Sequence, residues 1–462
     1  MSSSNNSTAS AGQPQENKMG TMPVPKLLFT MALPMIISMM VQALYNIVDS
    51  VFVSQINENA LTAVSLAFPV QNLMIAVASG TGVGVNALLS RSLGEKNYKN
   101  ANKAANNGIL LAIISSLVFI LVGIFGSRLF FATQTSDPQI QEYGYQYLSI
   151  VCIFSIGVFL QVTMERLLQA TGRTIFTMIT QGVGAIINII LDPILIFGYF
   201  GMPKMGVAGA AAATVIGQII AMLLGIYFNL KKNPDLTINF KTLRFDPETV
   251  KTIYKVGVPS ILMMSIGSIM TFGMNKILLQ FSSTAAAVFG VYFKLNSIFF
   301  MPIFGLNNGM VPIIAYNYGA HNRKRITHTI KLSCAAAFVL MVCGMLAFML
   351  IPDVLLGMFN ASEDMLSIGC LALRIISTSF PVAAFCIVFS SVFQALGNGV
   401  YSLISSVCRQ LCVLLPAAWI LSKLFGLNAV WYSYPIAEVI SIILSIFFLR
   451  KIYKDKIEPL GE

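Results

Sequence analysis

The sequence predicts an all-α integral membrane protein of twelve transmembrane helices, arranged as two parallel six-helix lobes around a central cleft. Three observations lead there. Of 462 residues, 56% are hydrophobic and 10% charged, with a mean hydropathy of +0.77, whereas soluble domains are nearer half apolar and a quarter charged. Apolar runs of the roughly 20 residues that a spanning helix needs recur twelve times. The chain also aligns with itself at a shift of 225 residues.

Between polar or Gly/Pro punctuation, the runs place helices at roughly 26–56, 59–90, 104–133, 138–171, 173–200, 205–230, 251–282, 284–318, 328–357, 363–396, 398–424 and 427–450. Before them, residues 1–23 open with MSSSNNSTASAGQPQENKMG, which has almost no apolar content and reads as a disordered tail. It lacks the charged start, short apolar core and cleavage site of a signal peptide, so the first helix serves as the insertion signal. Residues 24–230 form the first lobe, 231–250 (KKNPDLTINFKTLRFDPETV) a polar cytoplasmic linker, 251–450 the second lobe and 451–462 a cytoplasmic tail.

A net charge of +11 could suit nucleic acid, but its distribution argues against that partner. Basic residues gather in alternate loops, at Arg91, Lys96 and Lys99, at Arg173, at Lys231 and Lys232, at Arg323, Lys324 and Arg325, and at Arg450, Lys451, Lys454 and Lys456. The intervening loops carry Glu58, Asp137, Glu142, Asp353, Glu363 and Asp364. The positive-inside rule then places both termini in the cytoplasm of a multi-pass plasma (inner) membrane protein. Seven cysteines lie in or beside apolar spans without a Cys-x-x-Cys pair. They read as buried small hydrophobes, with neither a zinc site nor a disulfide framework.

The shift of 225 places Pro34 on Pro259, Gly80 on Gly305, Gly84 on Gly309, Gly94 on Gly319 and LLQATG (167–172) on VFQALG (392–397). In the last two helices of each half the offset drops to about 220, setting Gly206 opposite Gly426. Because six is even, the repeat is parallel, with its axis along the membrane normal. Two like bundles around a cleft are a frame for alternating access, although duplication also occurs outside transport.

Asp49, in YNIVDSVFV, is a carboxylate inside an apolar run, where it costs about 2.5–3.5 kcal/mol and needs a partner, a water cavity or neutralisation. Ser38, Gln42, Tyr45 and Asn46 share its helical face, making a polar stripe backed by Leu, Ile, Val and Met. Helix 5 repeats the arrangement with Gln181, Asn188 and Asp192, and each acid stands eight residues before the expected end of its outward-running helix. Pro193 leaves the Ile189 carbonyl without its helical partner. Freed carbonyls beside a carboxylate suit a hard cation such as Na+, and two close acids in an apolar pocket suit proton uptake. The alternative is that both acids merely hydrogen-bond neighbouring helices.

Several stretches together resemble the multidrug and toxic compound extrusion (MATE) family from about residue 24 to 450. They are PMIISMMVQALYNIVDSVFV in helix 1, ALTAVSLAFPV opening helix 2, SRSLGEKN with its echo AYNYGAHN, LLQATG ending helix 4 and NIILDPILIFG in helix 5. The short N-terminal pattern and the basic loop YGAHNRKR look closest to the bacterial MepA-like branch. The resemblance implies two lobes in a V and export of small amphipathic, often cationic drugs in exchange for Na+ or H+, with no cofactor. It also implies that Asp49, Asn188 and Asp192 hold the coupling cation, with Gln42 and Tyr45 adjoining. Some relatives carry a second acidic site in helices 7 and 10, but here those helices contain no Asp or Glu before the cytoplasmic loops. A cation site in the second lobe is therefore not expected.

Lys294, in helix 8, either pairs electrostatically or lines the cleft. Glu165 and Arg166 near the end of helix 4 read as snorkelling or intrahelical groups rather than substrate contacts. Arg374, Arg409 and Glu438 read as inter-helix ion pairs. The 24 Met and 32 Phe residues could furnish an adaptable drug pocket. GTGVGVN (80–86) lacks the spacing and the preceding strand of a phosphate loop, and its small residues suit close helix packing. The competing function is a lipid-linked oligosaccharide flippase of the same superfamily, which usually lines its cavity with several cations. An enzyme is not expected, because no His-Glu-x-x-His, Gly-x-Ser-x-Gly or Cys/His pair is present. No nucleotide-binding domain is present either, and a monomer is expected.

Overall fold

The computed structural model describes residues 17–238, 243–359 and 361–461. Residues 1–16, most of the expected disordered tail, lie outside the described residues. The spans are α1 (Val24–Ser54), α2 (Glu58–Gly94), α3 (Tyr98–Gln134), α4 (Pro138–Ile153 with Ile156–Ala170), α5 (Thr174–Phe197) and α6 (Val207–Lys232). The second lobe has α7 (Pro247–Leu279), α8 (Ser283–Gly319), α9 (Arg323–Leu350), α10 (Glu363–Ser377 with Phe380–Ala395), α11 (Gly399–Phe425) and α12 (Leu427–Leu460).

Ten of these are continuous helices long and apolar enough to cross a membrane, and the other two, α4 and α10, are pairs bent by 46° and 52°. The bends are repeat mates, since Phe154-Ser155 falls on Ser379-Phe380 at the shift of 225. In α10 the second segment opens on Phe380-Pro381, and a proline without an N–H cannot extend the helix before it. The offset of about 220 is visible too: Gly206 and Gly426, just before α6 and α12, both have positive φ (57° and 80°), a conformation open to glycine.

The lobes meet through two symmetry-related helix pairs, α1 with α8 and α2 with α7. Small residues make the approach possible. A Cβ on Gly84 would collide with the Ile253 carbonyl, and one on its mate Gly309 would lie 2.7 Å from the Ala32 Cα. GTGVGVN therefore serves helix packing, which in lipid gains from backbones brought close together. The tightest approaches, Gly94 against Tyr316 and Gly319 against Arg91, lie at the end of the bundle that carries the basic loops.

Three boundaries differ from the sequence expectation, all because polar chain at the basic end is folded rather than free. Residues 17–23 were expected to be disordered. Instead Asn17 caps a short helix, Lys18–Thr21, and Met19 is fully buried. The linker is shorter than 231–250, because α6 runs to Lys232 and α7 starts at Pro247. What remains is tied to the first lobe by Arg173–Asp235 (2.9 Å) and Lys103–Asp246 (3.4 Å). The tail continues α12 through Leu460, and the Lys456 ammonium donates to the Leu396 carbonyl at 2.5 Å. Apolar content marks where lipid ends, whereas backbone hydrogen bonds carry a helix past that point.

All seven cysteines are free thiols, but only Cys152 and Cys386 are buried; Cys334, Cys370 and Cys408 are half-buried, and Cys343 and Cys412 are exposed. Arg409 and Glu438 pair at 3.0 Å between α11 and α12. Arg374 instead donates to the Met349 carbonyl.

Candidate functional site

A cavity opens inside the first lobe, lined by α1, α2, α4, α5 and α6 and touched from the second lobe by Asn308 of α8. Its empty space, counting the open solvent at the mouth, is about 920 Å³. The lining includes Gln42 and Tyr45 of α1, Gln181 and Asn188 of α5, and Thr214 and Gln218 of α6. Four of the residues expected on polar stripes thus converge on one space.

Asp49 and Asp192 sit one helical turn beyond Tyr45 and Asn188, away from the basic end, and do not line that cavity. They stand at equal offsets from their helix ends, five residues before Ser54 and before Phe197 rather than eight, because both helices stop a turn early. Gly198, with φ of 78°, is the left-handed cap that terminates α5. Asp192 is fully buried. Among the described residues, neither of its oxygens has a hydrogen-bond partner, and the Asp49 Oδ1 and Asn188 Oδ1 are likewise buried without one. Asp192 lies within electrostatic range of Asp49, and the Tyr45 hydroxyl within range of both. Asn188 is held by its amide, which donates to the Thr214 hydroxyl on α6 at 3.2 Å. Beyond the acids, the Phe52 and Phe197 rings meet edge-on at 6.5 Å.

Buried carboxylate oxygens without donors carry a desolvation cost that a proton or a cation can remove. The unsatisfied atoms here are all oxygens, the donor type of a hard monovalent or divalent cation. Among the described residues no group of three or more His, Cys, Asp or Glu side chains is placed to hold a metal.

Two candidates lie elsewhere. Asn46 is exposed and absent from the cavity wall, because it turns away from the face that Gln42, Tyr45 and Asp49 share. Lys294 is exposed on the second lobe, with its ammonium 5.9 Å from the Phe359 ring centre. It does not reach this cavity.

The sequence reading set aside the pair that forms the cavity's basic-end wall. Glu165 is 3% exposed. It accepts from Gln161 (3.0 Å), Thr180 (3.2 Å) and Gln181 (2.6 Å), and Ser38 donates to the other end of the Gln181 amide. Arg166 donates through Nη1 to Gln169 and, across the lobes, to Asn308, both at 2.9 Å. All of Gln161, Glu165, Arg166 and Gln169 line the cavity. The signal was the i, i+4, i+8 spacing of Gln161, Glu165 and Gln169, a polar stripe of the same kind as the one on helix 1.

The MatE family model matches twice, over residues 34–194 and 259–420. The two matches start 225 residues apart, the same shift that aligns the chain with itself. The chain is 29% identical over 432 residues to the multidrug export protein MepA of Staphylococcus aureus, covering 93% of this chain and 94% of that one. It is 28% identical over 425 residues to the protein of the same name from Staphylococcus haemolyticus, covering 92% and 93%. An outward-facing multidrug resistance MATE family transporter of the MOP superfamily shares the fold, with a TM-score of 0.89, 24% identity and coverage of 97% and 99%. A MOP superfamily transporter from Pyrococcus furiosus, described by a reversed polarity of its binding pocket, has a TM-score of 0.88, 24% identity and coverage of 98% and 100%.

Proposed function

The chain belongs to the MatE family, and from that premise we propose that it is a secondary active multidrug exporter. It moves amphipathic, often cationic drugs in exchange for Na+ or H+ by alternating access. The observation that carries this reading is the fully buried Asp192, without a hydrogen-bond partner among the described residues and one turn from a polar cavity. The names of the staphylococcal relatives support the drug class, and the family supports a transporter rather than an enzyme.

The basic end faces the cytoplasm, following the positive-inside rule, and both termini lie there. Packing of the lobes at that end corresponds to a state open to the outside. An ion entering from outside meets the unpartnered oxygens of Asp49, Asn188 and Asp192 and satisfies them. Drug and ion act on the same helices, α1 and α5, so binding of one biases the lobe arrangement that the other prefers. Gln42, Tyr45 and Gln181 offer the drug hydrogen bonds while Met39, Ile75, Val158 and Val162 offer apolar wall. One chain encloses the whole cavity, so a monomer is the working unit.

A lipid-linked oligosaccharide flippase is less well supported. A diphosphate needs several converging cations, and among the described residues Arg166 is the one cation on this cavity wall. The test is ethidium transport by the purified protein in liposomes, with a Na+ gradient and a pH gradient imposed separately. Gradient-driven movement under either supports exchange, and no movement under both removes the reading.

A further inference from the structure

The cavity wall carries both signs of charge on consecutive residues, yet among the described residues Glu165 and Arg166 form no ion pair with each other. Each is held by neutral groups. Glu165 takes its hydrogen bonds from Gln161, Thr180 and Gln181. Arg166 uses Nη1 alone, toward Gln169 and Asn308. Its Nε and Nη2 are not bonded to any described residue and are not among the fully buried atoms left without a partner, and the side chain lines the cavity. The stem is fixed: it passes over Gly82 of α2, where a Cβ would lie 2.7 Å from the Arg166 Cγ and 3.4 Å from its Nε.

The Nε–Nη2 edge is the planar fork that takes a carboxylate by two parallel charge-assisted hydrogen bonds. A guanidinium serving only as a strut between lobes has no need to leave that edge open. Successive helical residues point about 100° apart, so the acid and the fork address different parts of one bound molecule. Resting on the drug-export reading, we propose that Arg166 is the anion-accepting subsite of the cavity and determines its preference for zwitterionic amphiphiles. The carboxylate of such a compound lies on the Arg166 fork and its ammonium toward Glu165. Because Asn308 steadies Arg166 from the second lobe, the subsite is complete only while the lobes are together at this level.

The experiment compares a fluoroquinolone bearing a carboxylate and an amine with its methyl ester, which keeps only the amine. Export of each is measured in the same vesicles for the wild type, Arg166→Gln and Arg166→Lys, and is read as the ratio of zwitterion to ester. The ratio falls about tenfold in Arg166→Gln, the scale on which a site loses a ligand group it was built to bond. It falls by less in Arg166→Lys, which keeps the charge without the fork. A ratio unchanged within about twofold in Arg166→Gln, whatever happens to the absolute rates, overturns the subsite and leaves Arg166 a strut. A wild type that exports the ester but not the zwitterion also overturns it while the drug-export reading stands. Failure to export either compound removes both.

Discussion

The Gln181 amide joins two helices to its own. It donates to the Glu165 carboxylate of α4 at 2.6 Å and accepts from the Ser38 hydroxyl of α1. A single side chain thereby registers α1, which carries Asp49, against α4, which carries the cavity's charged wall. Removing it leaves two buried groups short of partners, at about 1–3 kcal/mol for an unsatisfied buried polar group. Gln181→Leu is expected to lower the thermal unfolding midpoint in detergent by several degrees and to reduce drug export at equal membrane levels. Gln181→Glu, which sets an acid against Glu165, is expected to be worse.

The glycines between lobes make a second expectation. Gly309→Leu inserts a side chain where the Ala32 backbone lies, and α8 and α1 must separate at the basic end to admit it. Spin labels on Lys99 and Lys324, repeat mates exposed at that end, with the native cysteines replaced, should report a distance longer by several ångströms than in the wild type. An unchanged distance distribution would mean that the helices slide past the insertion instead.

The N-terminal turn gives a third. Arg325 donates to the carbonyls of Met19 (2.9 Å) and Met22 (2.7 Å), and Asn317 donates to Met19 at 3.0 Å. Asn17 donates to Thr171 on the other lobe at 3.1 Å. The turn thus bridges both lobes, and separating them at this end must break one set. Arg325→Met removes the two hydrogen bonds to the turn and a third to Asn317, of about 0.5–1.5 kcal/mol each, more where the donor is charged. A cysteine at Met19, fully buried here, should then react at least about tenfold faster with a membrane-impermeant thiol reagent supplied from the basic side.

The fold was legible because its signals were dense. Twelve apolar runs and one repeat register determine which helices exist and which are mates. Burial was legible where a polar residue broke an apolar face, as Asn188 and Asp192 do. Asn46 failed because it belongs to the stripe by spacing alone, and its offset of three from Asp49 leaves it turned outward. Glu165 and Arg166 were misread because their position near the expected helix end invited snorkelling. Arg166 reaches Asn308 across the lobes, and Glu165 is held by Thr180 and Gln181 of α5, partners far away in sequence. The ordered turn at residues 17–22 was missed for a related reason. Its partners Thr171, Asn317 and Arg325 lie far away in sequence, and local composition carries no trace of them.

A fourth expectation concerns the second lobe. Arg409 and Glu438 pair at 3.0 Å with side chains 23% and 10% exposed. Arg409→Leu strands the Glu438 carboxylate and should cost about 3 kcal/mol. The double change Arg409→Leu with Glu438→Leu should recover most of that, as read by unfolding in detergent. Full transport by a folded double variant would separate this pair from the exchange cycle.

The central claim is that Asp49 and Asp192 hold the ion that drives export. It is tested most directly by gradient-driven ethidium movement in liposomes containing the wild type, Asp49→Asn or Asp192→Asn. Drug binding is measured on the same preparations. The account predicts that either substitution lowers gradient-driven movement at least about tenfold while the protein remains folded and still binds ethidium. Full gradient-driven movement by a folded Asp192→Asn protein would contradict it.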